Sequence, residues 1–118
     1  MLKAAIMVLA GAEAHGDMAR VANALEAAKE FKEAGDDVKI IFDGAGTQWI
    51  AKLADTQNPL HPLFNAVKDK VAGVCSYCAV AFGAADDVAA CGVNLLKEYE
   101  GHPSFRELVS QGYEVITF

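Results

Sequence analysis

Between Lys3 and Leu9 the chain reads KAAIMVL, with no polar residue after the lysine. A strand with one wet face alternates polar and apolar side chains, whereas a strand covered on both faces reads as a continuous apolar run. This run therefore predicts a central strand of a parallel sheet with helices above and below it, and it leads into Ala10-Gly11-Ala12. Two later segments repeat the form. Asp37-Val38-Lys39-Ile40-Ile41-Phe42 ends in Asp43-Gly44-Ala45-Gly46, and Val71 to Cys75, VAGVC, ends in a turn that holds Cys78. Gly73 within the third run leaves room for another backbone to approach closely.

The segments between these strands carry helical spacing. Asp17 is a candidate N-cap for a helix whose Val21, Ala24, Leu25, Ala28 and Phe31 share a face, with Gly35 as its stop. Thr47 can cap a short helix presenting Trp49, Ile50 and Leu53, and Asn58-Pro59 breaks the chain before another that presents Leu63, Phe64 and Val67. Pro62 suits the first turn of that helix, and His61 reads as part of the turn leading into it. Beyond Cys78 a small-residue helix runs toward Val88, divided at Gly83 and stopped at Gly92. Val93 to Leu96 is a possible fourth strand. His102-Pro103-Ser104 opens a helix carrying Phe105, Leu108 and Val109, and Tyr113 to Phe118 reads as a last strand, central or near an edge. Strands alternating with helices imply parallel pairing through right-handed crossovers. The expected fold is an α/β protein, a three-layer α/β/α sandwich whose mainly parallel sheet has about five strands, with residues 1–118 forming one domain.

Composition narrows the function. The net charge of −6, with ten Lys and Arg scattered along 118 residues, argues against nucleic acid, which needs clustered cations. No apolar run approaches the roughly 18 residues of a membrane span, and MLKAAIMVLAGA is too short and too soon acidic for a signal peptide. The expectation is a cytoplasmic protein without membrane or nucleic-acid partners. Three cysteines in such a chain favour thiol chemistry over a disulfide framework. The apolar faces at Trp49 to Leu53 and Leu63 to Val67 exceed what one layer of packing covers, which predicts a homo-oligomer.

Cys75 and Cys78 form a C-x-x-C pair at the carboxyl end of the third strand, the side of an open α/β sheet where ligands bind. Two thiols so placed can exchange a disulfide, bind a soft metal or pass sulfur between them. Cys75 also fits a small buried hydrophobe completing the strand, which makes Cys78, at the start of the next helix, the better nucleophile. A thioredoxin-like reading matches the order strand, C-x-x-C, helix, but the remaining strands and the proline facing the motif are not evident. A zinc set of Cys75, Cys78, Cys91 and a histidine lacks a second closely spaced pair, so no metal is expected, and no cofactor. Neither G-x-G-x-x-G nor G-x-x-x-x-G-K-[ST] occurs. The loops after the first two strands place Glu13, His15, Asp43 and Gly44 along the same sheet edge as Cys78, as candidate ligand-binding groups or as solvated loop residues. Cys91 reads as a packed helix-end cysteine, and His102 as a residue opening a helix rather than a ligand.

The apolar first strand with its glycine-bearing loop and long helix, IIFDGAG after the second strand, VCSYCAVAFGA, and the ending GHPSFRELVSQGYEVITF together resemble the DsrE/DsrF-like family of small sulfur-relay proteins, over essentially the whole chain. The resemblance implies a parallel α/β/α sandwich, assembly into oligomers, and, as in the characterised relay members, a cysteine after the third strand that carries persulfide sulfur between donor and acceptor proteins. Cys78 best matches that position and Cys75 is the nearby alternative. The second cysteine and Cys91 depart from the one-cysteine pattern. They leave a thiol–disulfide redox role open, beside a non-enzymatic small-ligand or protein-interaction module.

Overall fold

A computed structural model describes residues 1–118. Its strands are β1 (Lys3–Val8), β2 (Asp37–Phe42), β3 (Val71–Cys75), β4 (Leu95–Leu96) and β5 (Glu114–Thr117). They form one five-stranded sheet in the order β4-β3-β2-β1-β5, parallel throughout. The helices are α1 (His15–Glu33), α2 (Trp49–Ala54), α3 (His61–Val67), α4 (Ser76–Ala81), α5 (Ala85–Ala90) and α6 (Phe105–Ser110).

The layers follow from crossover handedness. From β1 to β4 the chain steps one way across the sheet, so right-handed connections put α1 to α5 on the same face. The last connection returns past β1 to the opposite edge, which sends α6 to the other face. Side chains of β1 divide accordingly. Ala4, Ile6 and Val8 join a core of 20 buried residues with Val21, Leu25, Trp49, Ile50, Phe64 and Val88, whereas Ala5 and Met7 join Ile41, Leu108 and Tyr113 in a core of five. Both faces of β1 are covered, which is why its sequence does not alternate. Each fully buried Ile, Val or Leu contributes about 1.5–3 kcal/mol.

Several local expectations are corrected. The first helix begins at His15 with Ala14 as its N-cap, and Asp17 sits inside the first turn, where its carboxylate accepts the Ala14 N–H at 3.4 Å. Thr47 is likewise not the cap of α2. A 3₁₀ turn over Gly44–Gln48 precedes that helix, capped by Asp43, and the Thr47 hydroxyl donates to the Gly44 carbonyl at 2.9 Å. The faces expected to lie open are closed: Trp49, Ile50, Leu53, Phe64 and Val67 are all buried in the larger core. The exposed large apolar groups are instead Met1, Leu2 and Leu9 near the start of the chain, and Tyr77, Val80, Phe82, Tyr99, Phe105 and Val109. The fourth strand shrinks to two residues, and β5 lies at an edge.

Glycines mark two close approaches. A Cβ on Gly73 would lie 2.6 Å from Leu96 Cγ and 2.7 Å from the Asn94 carbonyl oxygen, so β3 meets the β4 segment through glycine, as its position in the strand suggests. A Cβ on Gly46 would lie 2.1 Å from the Val8 carbonyl oxygen, so the 3₁₀ turn packs directly on the end of β1.

Candidate functional site

Three strand ends meet at the carboxyl edge. Cys75, the last residue of β3, is also the N-cap of α4, and its Sγ accepts the Cys78 backbone N–H at 3.4 Å. The chain therefore turns from strand to helix within the C-x-x-C motif, and Cys78 comes back beside Cys75. From the end of β2, Asp43 turns inward; it is 7% exposed, and its Oδ1 accepts the Gly44 N–H at 2.7 Å.

The third contribution comes from beyond β4. Tyr99 and His102 pair across a two-residue turn through N–H···O bonds of 2.9 and 2.8 Å, with φ of 50° at Glu100 and 84° at Gly101. Positive φ at both central residues is what a type I′ turn requires. The Gly101 carbonyl accepts the Tyr77 N–H at 2.8 Å, which fastens this turn to the start of α4. His102 is thereby brought in, with Nδ1 3.3 Å from Cys75 Sγ and its ring centroid 4.8 Å from that of Tyr77. One donor atom each from Asp43, Cys75, Cys78 and His102 lies within 4.8 Å of all the others, with Asp43 and Cys75 buried and Cys78 and His102 half-buried.

Burial pushes the Cys75 thiol up to about 12; the Cys78 N–H acts against this, and the Cys78 side chain and the Asp43 carboxylate add to it. Cys75 is consequently a protonated thiol at neutral pH. Its single proton has the Gly101 carbonyl at 3.9 Å and His102 Nδ1 at 3.3 Å within reach, with the Asp43 carboxylate as a further hydrogen-bonding neighbour. Cys78 is the sulfur of the pair that solvent reaches. The group as a whole can hold a thiolate beside a proton carrier, close a Cys75–Cys78 bridge, or offer sulfur, nitrogen and oxygen to a metal.

Of the other candidates, Gly44 adjoins the cluster with φ of 55° and gives its N–H to Asp43. Glu13 and His15 are exposed and lie outside the cluster. The carboxyl edge is long, and a loop from β1 reaches it without reaching β3, because β2 stands between them. Cys91 caps the carboxyl end of α5 as an exposed thiol rather than a packed one. It lines a cavity of about 380 Å³ with Ile50, His61, Phe64 and Lys68, away from all four clustered residues. His61 is the first residue of α3, and its Nδ1 lies 2.8 Å from the Leu53 carbonyl, tying α3 to α2. His102 is the residue that sequence reasoning misplaced. The signal was topological: β4 neighbours β3, so a loop leaving β4 arrives at the same edge as Cys75.

Known proteins resemble this chain in sequence and in fold. The DsrE/DsrF-like family model matches residues 4–118. An uncharacterised protein of Methanocaldococcus jannaschii, MJ0733, is 35% identical over 89 residues, which cover 75% of this chain and 72% of that protein. A solved structure, a conserved protein of unknown function from Bacteroides thetaiotaomicron, BT1422, superimposes with a TM-score of 0.63 over 97% of this chain and 94% of that one, at 18% identity. The structural likeness concerns the fold. No helix is long and apolar enough to cross a membrane.

Proposed function

This chain belongs to the DsrE/DsrF-like family, and from that premise we propose that it is a sulfur-relay protein whose Cys78 carries sulfane sulfur as a persulfide. The Cys78 thiolate attacks the terminal sulfur of a donor persulfide; the donor S–S bond breaks, the donor leaves as a thiolate, and Cys78 holds the S–SH group. An acceptor thiolate then attacks that outer sulfur, and Cys78 returns to its thiolate. No electrons are gained or lost overall. His102 supplies the proton that a departing thiolate takes up and accepts the one an arriving thiol gives.

The observation that carries this reading is the contrast within the pair, a half-buried Cys78 beside a Cys75 that is buried and kept protonated. A Cys75 thiolate would attack Cys78 Sγ, expel hydrosulfide and close a disulfide, wasting the cargo. Burial and Asp43 hold it as a thiol and so protect the persulfide. The reading takes residues 1–118 as one DsrE/DsrF-like domain, places it in the reducing cytoplasm where its three thiols stay free, and gives it donor and acceptor proteins as partners. Incubating the reduced protein with a sulfane-sulfur donor is expected to add the mass of one sulfur, removable by dithiothreitol. An unchanged mass at any donor excess would end the proposal.

The strand-to-helix turn at the motif supports a second reading, thiol–disulfide exchange. Two cysteines three apart on a continuing strand would be too far apart, at roughly 3.3 Å per residue, for a bridge that needs Cα atoms within about 7 Å. Here the turn brings their sulfurs within 4.8 Å. Mild oxidation producing a reversible Cys75–Cys78 bridge, together with no uptake of sulfur, would favour this reading over the relay.

A further inference from the structure

We infer that Asp43, Cys75, Cys78 and His102 form a binding site for a zinc-class divalent metal ion. Tetrahedral zinc holds sulfur at about 2.3 Å, and imidazole nitrogen and carboxylate oxygen at about 2.0–2.2 Å, so its ligand atoms stand roughly 3.3–3.8 Å from one another. The four donor atoms already lie within 4.8 Å of each other, and the Cys75 Sγ to His102 Nδ1 edge, at 3.3 Å, has the required length. Cys78 and His102 are the two half-buried members, so adjustment to an ion falls on them rather than on the buried pair.

The sequence lacks a second closely spaced ligand pair, and the sheet supplies its equivalent. β2 and β4 flank β3, so Asp43 from the end of one and His102 from the loop beyond the other converge on the C-x-x-C turn from both sides. The supporting bonds are of the kind that orient metal ligands. The Cys78 N–H points at Cys75 Sγ, and the Gly44 N–H holds Asp43 Oδ1, leaving Oδ2 for a cation. Two thiolates with an imidazole select zinc-class ions over magnesium or calcium, and a protein-filled tetrahedron leaves no position for a substrate. On the relay reading above, a bound ion would also occupy Cys78 and withhold it from sulfur donors.

The test uses the full chain, reduced and stripped with a chelator. Titration with Zn²⁺ against a chromophoric competitor is expected to show one ion per chain with a Kd below about 1 µM. Co²⁺ is expected to give the strong visible bands of a tetrahedral, thiolate-bound ion. Cys78→Ser and His102→Ala, both at half-buried positions, should each weaken Zn²⁺ binding about 10-fold or more, with folding checked by circular dichroism, and Cys91→Ser should leave it unchanged. Weak binding, a pale octahedral cobalt spectrum, or binding that is lost with Cys91 and kept without His102 would overturn the site. Sulfur uptake by the metal-free protein is measured separately, so failure here is distinguishable from failure of the relay; where both hold, prior Zn²⁺ loading should suppress sulfur uptake.

Discussion

A thiol that stays protonated at neutral pH can sit beside a persulfide without discharging it, and metal-free Cys75 has that character because it is buried next to a carboxylate. Alkylation near pH 8 should therefore label Cys78 and Cys91 and spare Cys75 in the folded protein, as peptide mapping would show. Asp43→Asn removes the adjacent charge, so Cys75 should label faster and a sulfur-loaded Cys78 should lose hydrosulfide sooner; unchanged rates would take Asp43 out of the mechanism. Ionisation also sets the alkaline limit of the fold. Burial, with the hydrogen bond to Asp37 and that residue's charge, pushes the Tyr113 hydroxyl up to about 12, and Cys75 is raised to a similar value. Above the ordinary values of 9.0 for cysteine and 10.0 for tyrosine, an unfolded chain gives up protons that the folded one keeps. The stability these groups contribute is complete below about pH 9 and is lost as pH rises toward 12. Melting temperature should be flat from pH 7 to 9 and fall beyond it, and Tyr113→Phe should shallow the fall above pH 10. An equally steep fall in that variant would assign the alkaline limit to other groups.

Among the elements, the turn from Tyr99 to His102 positions the imidazole, and it does so with a glutamate at positive φ. The left-handed conformation costs most residues about 1–2 kcal/mol and costs asparagine less. Glu100→Asn should thus stabilise the protein by roughly 0.5–1 kcal/mol, read as a rise in melting temperature of a few degrees, with sulfur uptake retained. A loss of stability would mean that the Glu100 side chain holds the loop. Gly46 has the opposite sensitivity. Gly46→Ala places a methyl against the Val8 carbonyl and should cost about 1–3 kcal/mol or more, since the contact is with backbone and not a movable side chain. The strong elements were legible because their residues repeat a pattern. β1 is an apolar run after Lys3, β2 ends in Ile40-Ile41-Phe42, and α1 has Val21, Ala24, Leu25 and Ala28 on one face. Capping was less legible, since an acidic side chain serves a helix start from either place: Asp17, inside the first turn, accepts the backbone N–H of the N-cap residue Ala14. β4, with two residues, is too short for any period to register.

At the scale of the molecule, sequence periodicity reveals that a helix has an apolar face but not what covers it. Trp49 to Leu53 and Leu63 to Val67 read as surplus surface, and the larger core absorbs them because five helices crowd one side of the sheet. The cysteine turn was legible as chemistry, whereas its histidine was not, because His102 lies 27 residues from Cys75 and only strand order brings them together. Of the apolar groups left open, Tyr77, Val80, Tyr99 and Phe105 belong to α4, the His102 turn and the start of α6, beside the candidate site. Self-association through a second copy of the chain should appear in light scattering at micromolar concentration, and Tyr77→Ser should weaken it; a monomer at every concentration would leave this surface to other proteins. The proposed relay turns on where the sulfur goes. Reduced protein, treated with a sulfane-sulfur donor, alkylated and digested, should carry one extra sulfur on the peptide position of Cys78, in the parent chain and in Cys75→Ser and Cys91→Ser, and none in Cys78→Ser. Sulfur retained by folded Cys78→Ser, or found on Cys75 or Cys91 in the parent chain, would contradict Cys78 as the carrier.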